Sequence, residues 1–157
     1  MQGLERDAGR PEGDDEERAT RHEGQVPGLR DGALSDPQAI ALRTSRQVVL
    51  AMAQAALEVK AEELLVLDLR KLSFSFDFFL LCNAASGRRI QTVAETIQEK
   101  LSEREVNSVH REGQPESGWL LLDFGSVIAH IFSPEARQFY RLERLWADAP
   151  RVRIPKQ

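Results

Sequence analysis

The sequence is poor in cysteine and in aromatic residues: its 157 residues include one cysteine, one tyrosine and two tryptophans. A single cysteine cannot form an internal disulfide, and Cys82 lies in an apolar run, so we expect a buried, inert thiol in a reducing compartment. No apolar run reaches the roughly 20 residues that span a bilayer. The N-terminus has neither the apolar core of a secretory signal nor the acid-poor composition of a transit peptide. We therefore expect a cytoplasmic protein.

A strong excess of positive charge is also lacking. The net charge is −4, and residues 1–36 carry ten acidic and five basic residues, which leaves fifteen acidic and sixteen basic residues for the rest of the chain. A nearly neutral domain does not suit a protein that binds RNA through phosphate contacts alone. We expect its partner contacts to be mostly with protein.

The first 36 residues lack aromatic side chains and contain six of the ten glycines and the acidic run Asp14-Asp15-Glu16-Glu17. Such a segment cannot bury enough apolar surface to offset its ordering entropy. A chain of this length has room for one core. We predict a disordered acidic extension over 1–36, one α/β domain over 37–147 and a flexible tail over 148–157.

The familiar catalytic motifs are missing. The sequence has no Walker-type loop, no G-x-G-x-x-G and no G-x-S-x-G elbow. Its three histidines, His22, His110 and His130, lack the spacing of zinc ligands. We expect a protein that is not an enzyme and that needs no metal and no cofactor.

Hydrophobic periodicity predicts helices alternating with strands. Both Asp36-Pro37 and Ser45 are helix-start signals, and the sequence does not choose between one long helix and two short ones that end near Lys60. Further elements are predicted as strands Leu64–Asp68 and Asp77–Cys82, a helix from Ser86 to about Arg104, a weaker strand around Val106 to Arg111, and a polar turn over Glu112 to Ser117.

The stretch from Gly118 to Trp146 contains the clearest pattern. Two strands, Gly118 to Asp123 and Val127 to Phe132, form a β-hairpin pattern. Ser133-Pro134 then supplies an N-cap followed by proline at the first helical position. Together the elements predict a mixed sheet of about four or five strands covered by about three helices.

The final helix has two distinct sides in this pattern. One side should pack on the sheet, because apolar residues recur at a spacing of three or four, at Phe139, Leu142 and Leu145 or Trp146. The other side carries a basic stripe of Arg137, Arg141 and Arg144.

Three motifs in this stretch resemble the ribosomal silencing factor family, also called the Iojap-related family. They are W-x-L-L-D-x-G, H-I-F and R-x-F-Y-x-L-E-x-L-W, carried by Trp119, Leu121, Leu122, Asp123, Gly125, His130, Ile131, Phe132, Arg137, Phe139, Tyr140, Leu142, Glu143, Leu145 and Trp146. Outer motifs extend the resemblance to roughly Ala39 to Trp146 and include L-D-L-R at Leu67 to Arg70 and D-F-F at Asp77 to Phe79.

The resemblance implies a nucleotidyltransferase-like fold without catalytic activity. It implies a protein that binds the large ribosomal subunit at ribosomal protein L14, blocks joining of the small subunit and lowers translation when nutrients are short. It leaves open a contact with neighbouring ribosomal RNA and a homodimer of the free protein. The chain departs from the family pattern at Asn83-Ala84-Ala85, where a glycine turn is usual, and at Ser126, where an aspartate is usual.

Trp119, Leu121 and Asp123 alternate onto one face of their strand, and the leucines between them take the other. Trp119 either packs under the final helix or stands partly exposed as an interface anchor. The resemblance favours the second reading, with an L14-binding surface formed by Trp119, Asp123 and Tyr140.

Three other groups have less specific patterns. Arg137, Arg141 and Arg144 are either a solvated face or contacts to RNA or to an acidic partner. His130 lies in an apolar strand, which predicts a buried histidine with satisfied hydrogen bonds, and Trp146 is expected to pack at the helix end.

Two alternative functions fit the same chain less well. A nucleotidyltransferase-like enzyme needs two or three carboxylates to hold magnesium, and the hairpin offers Asp123 alone. A general RNA-binding module would bind naked RNA with a steep salt dependence, for which the domain has too little positive charge.

Overall fold

A computed structural model of the protein describes residues 41–155. The predicted disordered extension over 1–36 and the candidate helix start at Asp36-Pro37 lie outside these residues. In chain order the elements are helix α1 (Ser45–Glu58), strands β1 (Glu62–Asp68) and β2 (Phe78–Asn83), helix α2 (Gly87–Glu103), strand β3 (His110–Gln114), a 3-10 turn (Pro115–Ser117), strands β4 (Trp119–Asp123) and β5 (Val127–Phe132), helices α3 (Pro134–Tyr140) and α4 (Leu142–Leu145), and strand β6 (Arg151–Val152).

The six strands form one mixed sheet in the order β3-β4-β5-β2-β1-β6. Strands β2 and β5 are parallel, and the other neighbours are antiparallel. The predicted fold class, a mixed sheet with covering helices, is therefore confirmed. The predicted hairpin is the antiparallel pair β4 and β5, in which Leu121 lies opposite His130.

The predicted caps at Ser86 and Ser133 are confirmed, and α1 begins at the predicted Ser45 but is capped by the preceding Thr44. Thr44 caps α1, because its hydroxyl accepts from the backbone N–H of Gln47 while the Gln47 side chain accepts from the Thr44 N–H, a capping box. The Ser86 hydroxyl accepts from Arg89 N–H at the start of α2, and the Ser133 hydroxyl accepts from Ala136 N–H at the start of α3. The buried face of α2 is the predicted one, formed by Ile90, Val93, Ala94, Ile97 and Leu101.

Two hydrophobic clusters lie on opposite faces of the sheet. Helices α1 and α2 cover the first, which includes Leu120, Leu122 and Ile131. Helices α3 and α4 cover the second, which includes Leu81 and Phe132. Strand β2 is buried along its whole length, as the continuous apolar run in its sequence predicts for a strand covered on both faces.

The C-terminal segment differs from the sequence prediction. A flexible tail is predicted over 148–157, but β6 pairs with β1 and places Val152 opposite Val66. The backbone N–H of Asp68 donates to the Pro150 carbonyl over 2.8 Å, and the Gln54 side chain donates to the Pro155 carbonyl over 2.9 Å. The two prolines that suggested a tail, Pro150 and Pro155, flank β6 and contribute carbonyl acceptors, so their missing N–H groups cost no hydrogen bond of the strand.

The two departures from the family pattern are accommodated without strain. Ala84 is buried and its N–H donates to the Phe132 carbonyl over 2.8 Å, and the positive φ angles of residues 41–155 fall at other positions, so no glycine is required there. At Ser126 the backbone carbonyl accepts from Asp77 N–H over 2.7 Å, a contact that does not depend on the side chain.

The third strand is also shifted from its predicted place. It begins at His110 instead of near Val106 and runs through Gly113, which the sequence assigns to a polar turn. Gly113 has a φ of +93°, and a Cβ added there would lie 2.3 Å from the Trp119 carbonyl oxygen. This glycine allows β3 to approach β4 closely.

Replacing Gly113 with alanine should therefore destabilise the fold more than the same change at Gly125. Both glycines have a φ of +93°, but a Cβ at Gly125 would meet nothing within 4 Å. We expect Gly125→Ala to lower the free energy of unfolding by about 1 kcal/mol from backbone strain and Gly113→Ala by about 3 kcal/mol or more. Urea unfolding of the two variants measures the difference, and equal losses would contradict a close approach at Gly113.

Candidate functional site

Strand β4 divides its side chains between the two faces of the sheet as its alternation predicts. Leu120 and Leu122 are fully buried under α1 and α2. Trp119 and Leu121 lie on the opposite face, where they are partly exposed at the edge of the second cluster. Trp119 is therefore partly exposed, although it also packs against Tyr140 at the end of α3, and its role as an interface anchor stays a prediction.

Three aromatic side chains form a continuous patch, which we call the aromatic surface: Trp119, Phe139 and Tyr140. The ring centroids of Trp119 and Tyr140 are 4.5 Å apart, and those of Phe139 and Tyr140 are 5.0 Å apart with perpendicular planes. Tyr140 is 47% exposed and Phe139 is 79% exposed. Phe132 supports the patch from below, with its ring centroid 5.0 Å from that of Trp119.

A groove runs beside the aromatic surface. Its volume is about 270 Å³ and it lies between the edge strand β3 and the two rings of Trp119 and Tyr140. The walls are formed by Glu112, Gly113, Ser117, Trp119, Leu121 and Tyr140. A lining that combines two aromatic rings and a leucine with a carboxylate and a hydroxyl suits an apolar side chain from a protein partner.

The single final helix predicted from the sequence is in fact two short helices. Arg141 adopts the left-handed conformation, with a φ of +47°, and ends α3. Its N–H donates to the Arg137 carbonyl over 3.0 Å, which closes the last turn. The chain changes direction at this residue, so α4 does not continue the face that begins on α3.

This break corrects the predicted packing of the final helix. Leu142 and Trp146 pack against the second cluster, and the prediction for Trp146 is confirmed by its edge contact with Phe79 at 5.8 Å. Phe139, predicted on the same buried side, is instead 79% exposed, and of the two alternatives Leu145 and Trp146 it is Leu145 that is exposed, at 75%. The exposure of Phe139 is what extends the aromatic surface beyond the two predicted rings.

Arg137 does not belong to a basic stripe with Arg141 and Arg144. Its side chain is 10% exposed, and its Nε donates to a Glu143 carboxylate oxygen over 3.1 Å. Its Nη1 donates to the Asn83 side-chain oxygen over 2.7 Å and to the Glu63 carbonyl over 3.0 Å. The guanidinium therefore links α3 and α4 to the ends of β1 and β2.

Asp123 lies at the far end of β4 from Trp119, about 13 Å away at 3.3 Å per residue. Its Oδ1 accepts from the backbone N–H of Gly125 over 2.7 Å and so holds the turn between β4 and β5. The structure brings Trp119 and Tyr140 together, but it leaves Asp123 outside the aromatic surface.

His130 is buried beneath the aromatic surface, as predicted, but only one of its ring nitrogens has a partner. Its Nδ1 accepts from the Trp119 indole N–H over 3.2 Å. The buried Nε2 has no hydrogen-bond partner within the described part of the chain. Burial lowers the pKa of His130 from its ordinary value of 6.5 to about 3, so the ring is neutral at physiological pH. The sequence did not predict the contact with Trp119.

The chemistry of the remaining side chains in residues 41–155 is limited. Cys82 is fully buried, and burial raises the pKa of its thiol to about 12, which matches the predicted inert thiol. Across residues 41–155, no three His, Cys, Asp or Glu side chains converge in a way that could hold a metal ion. The same residues contain no helix with the length and apolar character needed to cross a membrane.

The architecture is therefore that of a mixed α/β domain that presents an aromatic surface on one face of its sheet. A family model described as "Ribosomal silencing factor during starvation" matches residues 42–157. The ribosomal silencing factor of Bacillus subtilis is 36% identical over 107 residues, which cover 68% of this chain and 91% of that protein. The chloroplastic Iojap protein of Zea mays is 33% identical over 106 residues, which cover 68% of this chain and 46% of that protein.

A solved structure has a similar fold. A crystal structure of a protein from Chromobacterium violaceum superposes with a TM-score of 0.64 at 28% sequence identity, and the match covers 73% of this chain and 95% of that one. The chain belongs to the ribosomal silencing factor family.

The contacts of Arg137 predict a large loss of stability when its side chain is removed. In Arg137→Met the buried Asn83 amide loses a donor and the Glu143 carboxylate loses its counter-charge. We expect the free energy of unfolding to fall by about 3 kcal/mol. The matched control is Arg144→Met, an exposed arginine on α4, which should change it by about 0.5 kcal/mol or less. Similar losses in the two variants, measured by urea unfolding, would contradict the assigned network.

The neutral state of His130 predicts a loss of stability in mild acid. The unfolded chain takes up a proton on this histidine below pH 6.5, whereas the folded chain does so only near pH 3. The contribution of the neutral His130 ring to the free energy of unfolding is therefore complete above pH 6.5, and it is lost as the pH falls towards 3. Protonation of this histidine in the unfolded chain should lower the free energy of unfolding by about 2 kcal/mol between pH 8 and pH 5.

The His130→Phe variant isolates this contribution, because it cannot be protonated. The variant should lack that part of the pH dependence, while His110→Gln, which alters an exposed histidine, should keep it. Urea unfolding at a series of pH values compares the three proteins. Identical pH profiles for the wild type and His130→Phe would rule out a buried neutral histidine.

Proposed function

We propose that the protein silences translation by binding the large ribosomal subunit at ribosomal protein L14 and by blocking the approach of the small subunit. Membership of the ribosomal silencing factor family supports the process, and the aromatic surface supports the place of contact. The observation that carries the proposal is the pair of exposed rings, Phe139 and Tyr140, beside the partly exposed Trp119.

The aromatic surface has the properties of a protein-docking patch. Tryptophan and tyrosine bury a large area for a small loss of conformational entropy, which is why they dominate binding energies at interfaces. Here the rings are already restrained, because Trp119 packs on Phe132 and Tyr140 packs on Trp119. The groove beside them offers a complementary pocket for an apolar side chain of L14.

The proposed mechanism is steric exclusion, in which no bond is made or broken. A domain bound on the subunit-joining face occupies space that the small subunit needs, so the affinity and the position of the domain determine the effect. The protein thus acts as a binding protein and not as an enzyme. It requires no metal and no cofactor for this action.

Charged contacts would lie at the margin of the same surface. Arg141 and Arg144 are exposed and can reach RNA phosphates or an acidic part of the partner, whereas Arg137 is engaged inside the domain. Asp123 can contribute if the interface extends along β4 to its far end, about 13 Å from Trp119. These residues would adjust the affinity, and the aromatic rings would supply most of it.

Removing both rings should abolish binding. Trp119→Ala and Tyr140→Ala should each weaken co-sedimentation with purified large subunits about 30-fold, the usual cost of losing a central aromatic anchor, and the double variant should not co-sediment. The control is Phe74→Ala, which removes a fully exposed aromatic ring from the loop between β1 and β2. Folding of each variant is checked by urea unfolding.

The same variants test the consequence for translation. Wild-type protein and Phe74→Ala should prevent added small subunits from joining the large subunits, and the double variant should permit it. A folded double variant that still co-sediments would place the contact elsewhere. Co-sedimentation of the wild type without any effect on subunit joining would contradict steric exclusion.

A further inference from the structure

Trp119 and His130 are joined across the hairpin by a side-chain hydrogen bond. Leu121 is opposite His130 and Trp119 is opposite Phe132, so the two side chains are diagonal neighbours on one face of the sheet. The indole N–H of Trp119 donates to Nδ1 of His130 over 3.2 Å. This hydrogen bond connects the buried His130 to Trp119, the ring of the aromatic surface that lies on the sheet.

The hydrogen bond fixes the tautomer of His130. Because Nδ1 accepts, the proton of the neutral ring lies on Nε2. That N–H is buried and has no partner among residues 41–155. A buried donor without a partner destabilises the fold, and an apolar residue would fill this position without that penalty. Packing alone therefore does not account for a histidine here.

The imidazole is held rigidly by its aromatic neighbours. Phe79 meets it edge to face with ring centroids 4.7 Å apart, and Phe132 stacks beside it at 6.1 Å with planes 11° apart. A rigid acceptor restricts the rotation of the indole that donates to it. In the resulting orientation, the indole packs on the rings of Tyr140 and Phe132 and also lines the groove.

We propose that His130 is a positioning residue: its Nδ1 fixes the orientation of the Trp119 indole and so preorganises the aromatic surface before the partner arrives. A side chain that is already in its bound orientation loses less entropy on binding, which increases the affinity. The inference rests on the proposed function for its effect on affinity, but the orientation of the indole is independent of any partner. Neutrality of the ring at physiological pH keeps Nδ1 available as an acceptor.

Nuclear magnetic resonance of the full wild-type chain tests the orientation directly. The ¹⁵N chemical shifts of the His130 ring should show the Nε2–H tautomer, and the Trp119 indole N–H should exchange slowly with solvent. The Trp119→Phe variant assigns that indole resonance. The opposite tautomer, or an indole N–H that exchanges as fast as that of an exposed tryptophan, would overturn the proposal.

A double-mutant cycle tests the effect on binding to purified large subunits. His130→Phe keeps an aromatic ring but removes the acceptor. The affinity for large subunits should therefore fall about three- to tenfold, as expected for the loss of one neutral hydrogen bond. In a Trp119→Phe background, which has no indole N–H, the same change should alter the affinity less than twofold. His130→Asn offers an oxygen near the place of Nδ1 and should restore part of the slow indole exchange and part of the affinity.

The outcomes separate the two proposals. If His130→Phe lowers the affinity for large subunits equally in the wild-type and Trp119→Phe backgrounds, His130 only packs. This result would overturn the positioning role. If His130→Phe does not fold, the tautomer of His130 and the exchange rate of the Trp119 indole N–H in the wild type still test the positioning role. Failure of wild-type protein to bind large subunits would contradict the proposed function, and the resonance measurements would still test the orientation of Trp119.

Discussion

The partly buried guanidinium of Arg137 is the interaction on which the candidate site depends. It connects α3 and α4 to the Asn83 side chain at the end of β2 and to the Glu63 carbonyl in β1. Its ion pair with Glu143 holds α4 in place after the chain turns at Arg141. Phe139 and Tyr140 are the last two residues of α3 before that turn, and both lie on the outside of the domain.

The aromatic surface is consequently built by two separate parts of the chain. Strand β4 supplies Trp119, and the end of α3 supplies the two rings beside it. The hairpin register brings His130 under Trp119, and the Arg137 network brings Tyr140 over it. Fold stability and surface shape are thus coupled, since disturbing either contact would move a ring of the patch. Such rigidity suits the proposed mechanism, in which the bound domain would act by occupying space.

Local signals predicted most of the fold. The caps at Ser86 and Ser133, the buried face of α2 and the two faces of β4 follow from residues close together in sequence. The break at Arg141 was missed because no glycine or proline marks it, and because the contacts that stabilise it join Arg137 to residues 54 and 74 positions away. Strand β6 was missed because two paired residues leave no periodic pattern. The pairing of Trp119 with Tyr140, and its contact with His130, likewise depend on tertiary structure.

Photochemical cross-linking from the aromatic surface tests the central claim most directly. A photoreactive benzoylphenylalanine in place of Phe139, which is exposed beside Tyr140, is irradiated in the presence of large subunits from the same organism, with the same group in place of Phe74 as the control. The account predicts a cross-link from position 139 to ribosomal protein L14 and none to L14 from position 74. A cross-link from position 139 to a different ribosomal component, or equal cross-linking from both positions, would contradict it.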